Sequence, residues 1–304
     1  MDLNKNSDEI MEKYFKAGEI LARVLRKTKE YIKPGKKLID ICEYAENQIR
    51  KNGAELAFPL NIGIDDVAAH YTSPIKDGTV IPENCLLKLD LGANIDGYLV
   101  DSAISLNIGD NEEYEKLIIA AESALSAAIK TIKSGVKVYK VGEIVEKVIK
   151  KFGFNPIRNL SGHKMRRYEL HTGITVPNVK TQSMNSNYTF KEGDVFALEP
   201  FTTNGKGMVY SGKNVYIYAL LKKSGKNLPA HIINIVNKIW SDRKRLPFSP
   251  RWYRDIPSYH LKQMERLKLV YRYPVLLEVS KGVVAQAEHT IIVNKDSSTI
   301  LTQL

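Results

Sequence analysis

The chain repeats itself. Ile32-Lys33-Pro34-Gly35-Lys36-Lys37 returns 100 residues later as Ile132-Lys133-Ser134-Gly135-Val136-Lys137, and the helical pattern that follows each stops at a glycine, Gly53 and then Gly153. His70, in Ala68-Ala69-His70-Tyr71, has a counterpart 101 positions on, His171 in Glu169-Leu170-His171-Thr172. Glu83-Asn84-Cys85-Leu86-Leu87-Lys88-Leu89-Asp90 is echoed by Glu192-Gly193-Asp194-Val195-Phe196-Ala197-Leu198-Glu199, and both apolar runs end in a carboxylate. Short echoes arise by chance, but four in the same order imply a duplication. The pattern predicts an α+β fold of two pseudo-twofold-related halves, about 1–110 and 111–304, each with two helices packed on an antiparallel sheet.

Apolar spacing places the helices. Ile10, Met11, Tyr14, Phe15, Ala17, Ile20, Leu21, Val24 and Leu25 mark one that runs to about Tyr31, where Pro34-Gly35 stops it. Ile41, Cys42, Ala45 and Ile49 mark a second, from about Leu38 to Arg50, with Gly53 as its terminator. The second half begins with a helix from about Asn111 to Lys133 and another ending near Gly153. The stretch from Ala57 to Thr72 reads as loop, and so does the segment around Gly162-His163.

Leu86 to Asp101 reads as a β-hairpin around the turn cluster Asn94-Ile95-Asp96-Gly97. A turn centred between Ile95 and Asp96 makes Asp90 and Asp101 direct cross-strand partners, with Cβ atoms roughly 4.5–5.5 Å apart. Such a pair either lies at the surface or must take up a proton or a cation. The duplication calls for a second acid across from Glu199, and Glu288 in Val283–Val293 supplies it. Between these two strands the tight turn of the first half is replaced by a basic segment, about Lys213 to Arg272, with helical patterns at Pro229–Trp240 and about Ser258–Leu269. It reads as a helical subdomain, 213–272, inserted into a hairpin.

That segment carries 14 Lys and Arg against three acids, a surplus equal to the net charge of +11 of the whole 304-residue chain. Charge confined to one segment implies an anionic partner such as RNA, or a solvated surface. Arg243, Lys244, Arg245 and Arg251 are the charges such a contact would use. There is no apolar run of about 18 residues and no signal-peptide core near Met1, so neither a membrane span nor secretion is expected, and the cytoplasm is the expected location. Two cysteines, Cys42 and Cys85, exclude a disulfide framework or a Cys-rich zinc site and read as buried thiols.

Under the twofold, the acid-bearing strands converge at the centre and bring Asp90, Asp101, Glu199 and Glu288 together with one or more histidines. Four carboxylates in one place require a cation, and a mixed carboxylate and imidazole shell suits Mn, Fe, Co or Zn. Two such ions about 3.5–4 Å apart would polarise a carbonyl and supply hydroxide near neutral pH. Taken alone, His70 reads more readily as a packed or capped histidine; its repeat partner His171 reverses that. His231 and His260, in the insert, read as surface or packing residues, and His289 as packing on the strand face opposite Glu288.

At these residues the chain resembles the type II methionine aminopeptidases of the creatinase/aminopeptidase, or pita-bread, superfamily. The match extends over nearly the full length: Ala57-Phe58-Pro59, Ala68-Ala69-His70-Tyr71-Thr72, Leu89-Asp90-Leu91-Gly92, Val100-Asp101, Pro156 to His163, Leu170-His171-Thr172-Gly173, Leu198-Glu199-Pro200-Phe201, Asn204-Gly205-Lys206-Gly207 and Ala285-Gln286-Ala287-Glu288-His289-Thr290. The insertion marks the type II class, and a start directly at the catalytic domain resembles the archaeal form. Lys164-Met165-Arg166-Arg167 departs from the small, Gly-containing segment that usually follows the histidine ligand.

The resemblance implies a pita-bread fold, a monomer, and metal-dependent removal of the N-terminal methionine from nascent proteins and peptides. It implies two divalent metal ions per chain (Co, Mn, Fe or Zn) held by Asp90, Asp101, His163, Glu199 and Glu288, with Asp101 and Glu288 bridging. Asp90 then completes one ion and His163 with Glu199 the other. Glu199 would shuttle the proton from the nucleophilic hydroxide to the leaving amine, His171 would stabilise the oxyanion and His70 would contact the scissile peptide. Phe58, Leu170 and Tyr273 match positions lining the methionine pocket, an apolar, aromatic-edged slot suited to a thioether. Two relatives in the same fold are the alternatives. One removes the residue before proline and shares the five ligands; the insertion and the pocket matches speak against it. The other is a non-catalytic RNA- or ribosome-binding protein, which would lose ligands that this chain keeps. An aminopeptidase acting on nascent chains could itself use the basic insert to contact ribosomal RNA.

Overall fold

The computed structural model describes residues 3–181, 187–224 and 228–303; residues 225–227 of the basic insert, Lys226 among them, lie outside the described residues. The first half runs α1 (Leu3–Tyr31), α2 (Leu38–Lys51), β1 (Glu55–Leu56), β2 (Asn61–Ile64), β3 (Val67–Ala69), β4 (Cys85–Ile95) and β5 (Tyr98–Ile108). The second repeats the plan with α3 (Glu112–Thr131), α4 (Val138–Lys151), β6 (Asn155–Pro156), β7 (Ser161–Met165), β8 (Thr175–Pro177), β9 (Val195–Leu198) and β10 (Phe201–Thr203). It continues through β11 (Val209–Leu220), α5 (Ala230–Arg243), α6 (Ser258–Arg266) and β12 (Val270–Glu278), and ends with β13 (Val284–Gln286), β14 (His289–Val293) and β15 (Ser298–Ile300). Among the described residues no helix is long and apolar enough to cross a membrane.

The repeated hexapeptides are structurally equivalent. The Gly35 N–H donates to Ile81 O and the Gly135 N–H to Phe190 O; Leu38 N–H then donates to Thr79 O and Val138 N–H to Tyr188 O. Both glycines have positive φ, +78° and +87°, which explains why each turn has glycine at that point.

The sheets repeat as well. β4 pairs with β1 and β2 along one edge and with β5 along the other. In the second half β6 and β7 pair with β10 and β9, which pair in turn with β13 and β14. β4 thus corresponds to β9 and β10 together, interrupted at Glu199-Pro200, where proline has no N–H for the ladder. The segment read as loop from Ala57 to Thr72 contains β2 and β3, and His163 lies within β7 rather than in a loop. β2 and β7 are short and buried on both faces, so they leave no alternation to read, and β3 has only three residues.

Apolar faces of α1 and α2 (Leu21, Val24, Ile41, Ala45) pack on Leu87, Leu89 and Leu91, and those of α3 and α4 (Ala121, Ala124, Val141, Val145) on Phe196, Leu198 and Ile291. The insert has its own core of Ile232, Val236, Ile239, Phe248, Leu261 and Met264, carried on the β11–β12 ribbon. Both cysteines are buried and free.

The hairpin register differs from the expectation by one residue. Asp96 and Gly97 have φ of +52° and +82°, the two positive values that a two-residue type I′ turn needs. Branched Ile95 is poorly suited to such a position and instead pairs with Tyr98, and the Gly97 N–H is received by the Asn94 side chain. Asp90 therefore faces Ala103 and Asp101 faces Gly92; the two acids are diagonal neighbours on one face rather than direct partners. In the second half Leu198 pairs with His289 and Phe201 with Gln286, a single frame that sets Glu199 opposite Glu288.

The halves join at the centre. Glu288 N–H donates to Ala103 O (3.0 Å) and Ala103 N–H to Glu288 O (3.4 Å). The Ser102 and Ser105 hydroxyls donate to Glu288 O and Gln286 O. Thr290 Oγ1 accepts from the Asp101 N–H at 2.7 Å and donates to Asp101 O at 2.8 Å. The segments carrying Asp101 and Glu288 are thereby fixed to each other beside their carboxylates.

Candidate metal centre and cleft

One cleft of about 250 Å³ opens at this junction. It is lined by all ten residues singled out in the sequence: Phe58, His70, Asp90, Asp101, His163, Leu170, His171, Glu199, Tyr273 and Glu288. Asp90 and Asp101 arrive on β4 and β5, His163 on β7, and the two glutamates at the breaks in β9–β10 and β13–β14. Gly162 lets β7 approach, since a Cβ there would overlap Ala197 O.

Asp101, His163 and Glu288 each offer a ligand atom, all within 4.8 Å of one another. His163 Nε2 lies 3.5 Å from Asp101 Oδ2 and 3.8 Å from Glu199 Oε1. Burial pushes the Asp90 carboxyl up, with Asp101 beside it adding to the effect; burial does the same to Asp101. Glu288 is raised by burial and then by Asp101, Glu199 and Asp90, and Glu199 by burial and then by Asp90 and Asp101. His163 is lowered to about 4 by burial, so its imidazole is neutral and keeps a lone pair for a ligand. Buried Asp90 Oδ1, Asp101 Oδ1 and Glu288 Oε1 have no hydrogen-bond partner. Buried acceptors without donors are costly, and carboxylates of one sign crowded together more so. The donor set fits divalent metal, which supplies the missing positive charge.

On the cleft wall His70 adopts φ +64°, and its Nδ1 donates to Pro274 O at 3.2 Å. Its pKa is held down to about 4 by burial, so Nε2 is left as an acceptor. The His171 ring lies 4.3 Å from that of His163, and both His70 and His171 pack on Tyr273, at 5.3 and 6.1 Å between ring centres. Phe58 sits against Gly92, where a Cβ would overlap its ring.

Some contributors carry no signal as single residues. Gln286 Nε2 donates toward Asp90 Oδ2 (3.4 Å) and Glu288 Oε2 (3.3 Å), setting a neutral amide between two carboxyls. Asn61, opposite Asp90 in the ladder, and Ile217 and Pro247 also line the cleft. Gln286 shares the strand face of Glu288 by period two, the one sequence cue that could have found it. The remaining histidines lie elsewhere: His231 and His260 pack ring to ring at 5.0 Å, and His289 meets Thr302.

The basic insert is less of an exposed cationic face than its composition predicts. Of the four charges expected to face an anionic partner, Arg243 and Arg251 are buried. Arg251 forms a two-pronged pair with Glu46 (2.7 and 2.8 Å), which also receives Trp252 Nε1, docking the insert on α2. Arg245 is exposed and Lys244 half-buried. The departing segment Lys164-Met165-Arg166-Arg167 is also anchored: Lys164 pairs with Asp194 and Tyr188, and Arg167 Nε donates to Asp96 O at the first-half turn.

The sequence profile of metallopeptidase family M24 matches residues 12–295. The chain is 42% identical over 299 residues to a methionine aminopeptidase of Thermococcus kodakarensis, covering 96% of this chain and 99% of that protein. It is 40% identical over 296 residues to one of Methanocaldococcus jannaschii, covering 96% and 98%. Among solved structures, a methionine aminopeptidase of Thermotoga maritima superposes with TM-score 0.72 at 22% identity, covering 97% of each chain. A thermophilic Arx1 superposes with TM-score 0.84 at 18% identity, covering 96% of this chain and 90% of that one. With a duplicated pita-bread fold, a central carboxylate and imidazole cluster and end-to-end similarity to archaeal methionine aminopeptidases, the chain belongs to metallopeptidase family M24.

Proposed function

We propose that this chain is a methionine aminopeptidase that hydrolyses the first peptide bond of peptides and nascent chains beginning with methionine. The observation that carries the reading is the meeting, in one cleft, of Asp90, Asp101, His163, Glu199 and Glu288 with Phe58, Leu170 and Tyr273. The end-to-end similarity to archaeal methionine aminopeptidases supports it.

The five ligand residues would hold the metal, and two divalent ions (Co, Mn, Fe or Zn) balance the charge of four carboxylates. Bound metal polarises the scissile carbonyl and brings the pKa of water near neutrality. Glu199, whose buried carboxyl readily holds a proton, takes one from the attacking water and passes it to the leaving amine. His171 donates to the oxygen where negative charge develops. His70 Nε2, an acceptor because Nδ1 is committed to Pro274 O, receives the scissile N–H and orients the peptide. Phe58, Leu170, Ile217 and Tyr273 exclude water around the methionine side chain.

The test is release of methionine from Met-Gly-Met-Met and from a matched Met-Pro peptide by chelator-stripped protein, with and without Mn or Co. Metal-restored release that falls about 10²–10⁴-fold in Glu199→Gln is expected. A protein that binds metal but releases no methionine has another specificity, and failure to bind metal removes the reading altogether.

A further inference from the structure

Arg243, the last residue of α5, is buried, and no carboxylate pairs with it among the described residues. Its Nη2 donates to three carbonyls, Leu56 O at 2.7 Å, Ala57 O at 3.0 Å and Pro247 O at 3.1 Å, while Nε has no partner. Trp252 lies 5.0 Å from the guanidinium. Glu55 and Glu46 act on it only from beyond contact, and a buried cation bonded to carbonyl dipoles alone is costly, since an apolar side chain of the same length would avoid the desolvation.

The three carbonyls lie on or just behind two different walls of the cleft. Leu56 and Ala57 lead directly into Phe58 and are held from the other side by β4, Leu56 opposite Ala93 and Ala57 N–H on Gly92 O. Pro247 comes from the insert and lines the same cleft. One guanidinium thus spans the gap between a wall built by the first half and a wall built by the inserted subdomain. All three bonds leave from Nη2, the far end of the side chain; a lysine also carries several donors, but its stem is one atom shorter and stops short of that point.

We propose that Arg243 is a positioning residue that sets the width of the pocket for the substrate's first side chain by tying the Phe58 wall to the Pro247 wall. It rests on the reading that this cleft takes an N-terminal methionine. The role of the insert at this point is to complete the specificity pocket of the catalytic domain.

The experiment measures kcat and KM separately for peptides beginning with Met, norleucine and Leu, using metal-loaded wild type, Arg243→Met, Arg243→Lys and Arg251→Met. Arg251→Met also removes a buried arginine of the insert but touches Glu46, Thr72 and Ser73 rather than a cleft wall. Expected for Arg243→Met is a KM for the Met peptide raised about tenfold, kcat nearly unchanged and a narrowed Met-to-Leu ratio in kcat/KM, because pocket fit is worth about 10- to 200-fold per methylene. Arg243→Lys falls between, and Arg251→Met lowers Tm without moving the ratio. An unchanged KM and ratio in Arg243→Met, or the same shift in Arg251→Met, overturns the proposal. Where Arg243→Met does not fold, Arg243→Lys decides, and an unchanged KM and ratio there overturns it equally. Active wild type with either result leaves the methionine reading standing, whereas wild type that releases no methionine with any metal overturns both.

Discussion

His163 Nε2 lies 3.5 Å from Asp101 Oδ2, although the two residues come from different halves of the chain and neither is positioned by the other's strand. The contact is not an ion pair, because burial holds the imidazole neutral. It is a lone pair and a carboxyl aimed at one point, an arrangement whose energy depends on what occupies that point.

Metal binding is accordingly linked to pH. The four carboxyls have native pKa values raised above those of the unfolded chain, so their contribution to stability is complete below about pH 4 and is lost as pH rises through the native values. His163 and His70, both near 4, act oppositely: their contribution is present above about pH 6.5 and is lost on acidification. Above that value the carboxyls of the cluster act alone, and metal must displace their protons. The rise in Tm on adding Mn or Co should be larger at pH 8 than at pH 6, and titration calorimetry in buffers of different ionisation enthalpy should show protons released. Equal rises without proton release would mean that the carboxyls are already ionised before metal arrives.

Gly92 tests the pocket from the side opposite Arg243. A Cβ there would overlap Phe58 Cε1 and crowd Ala57 Cβ. Gly92→Ala should therefore push Phe58 into the cleft and raise KM for methionine peptides while leaving metal affinity intact, at a stability cost of about 1–3 kcal/mol. Unaltered KM in a folded Gly92→Ala protein would show that Phe58 relaxes away from the substrate.

Lys88 is buried in β4 and donates to Asp65 O at 3.0 Å and Val284 O at 2.8 Å, tying the first half to β13. Burial lowers its pKa to about 7, whereas the unfolded value is about 10.4. Between these values the unfolded state binds the extra proton, so stability from this group rises with pH from about 7 to 10. Urea unfolding at pH 7, 8.5 and 10 should show wild type gaining on Lys88→Met as pH rises. Parallel pH profiles would place a charged lysine in the core throughout.

Much of this protein is legible in the sequence because it was written twice. The hexapeptide echoes fix the glycine turns, the helices follow from one-sided apolar spacing, and the acids at the ends of Leu89-Asp90 and Leu198-Glu199 mark the centre where the halves must meet. These are local or repeated signals, and local sterics and solvation are enough to determine them. Tertiary structure decided the rest. The turn settled on Asp96-Gly97 because both positions needed positive φ, and that moved Asp90 and Asp101 from facing partners to diagonal ones. Gln286 became part of the acid cluster only through the strand pairing that brought it near Asp90. The basic insert looked like a cationic surface in one dimension; in three, Arg243 and Arg251 turn inward, where the carbonyls of Leu56 and Ala57, 187 and 186 residues away in sequence, and the carboxylate of Glu46, 205 residues away, accept their hydrogen bonds. Charge is a property of residues and can be counted, but the acceptor each charge will meet is set by chain segments that no local window contains.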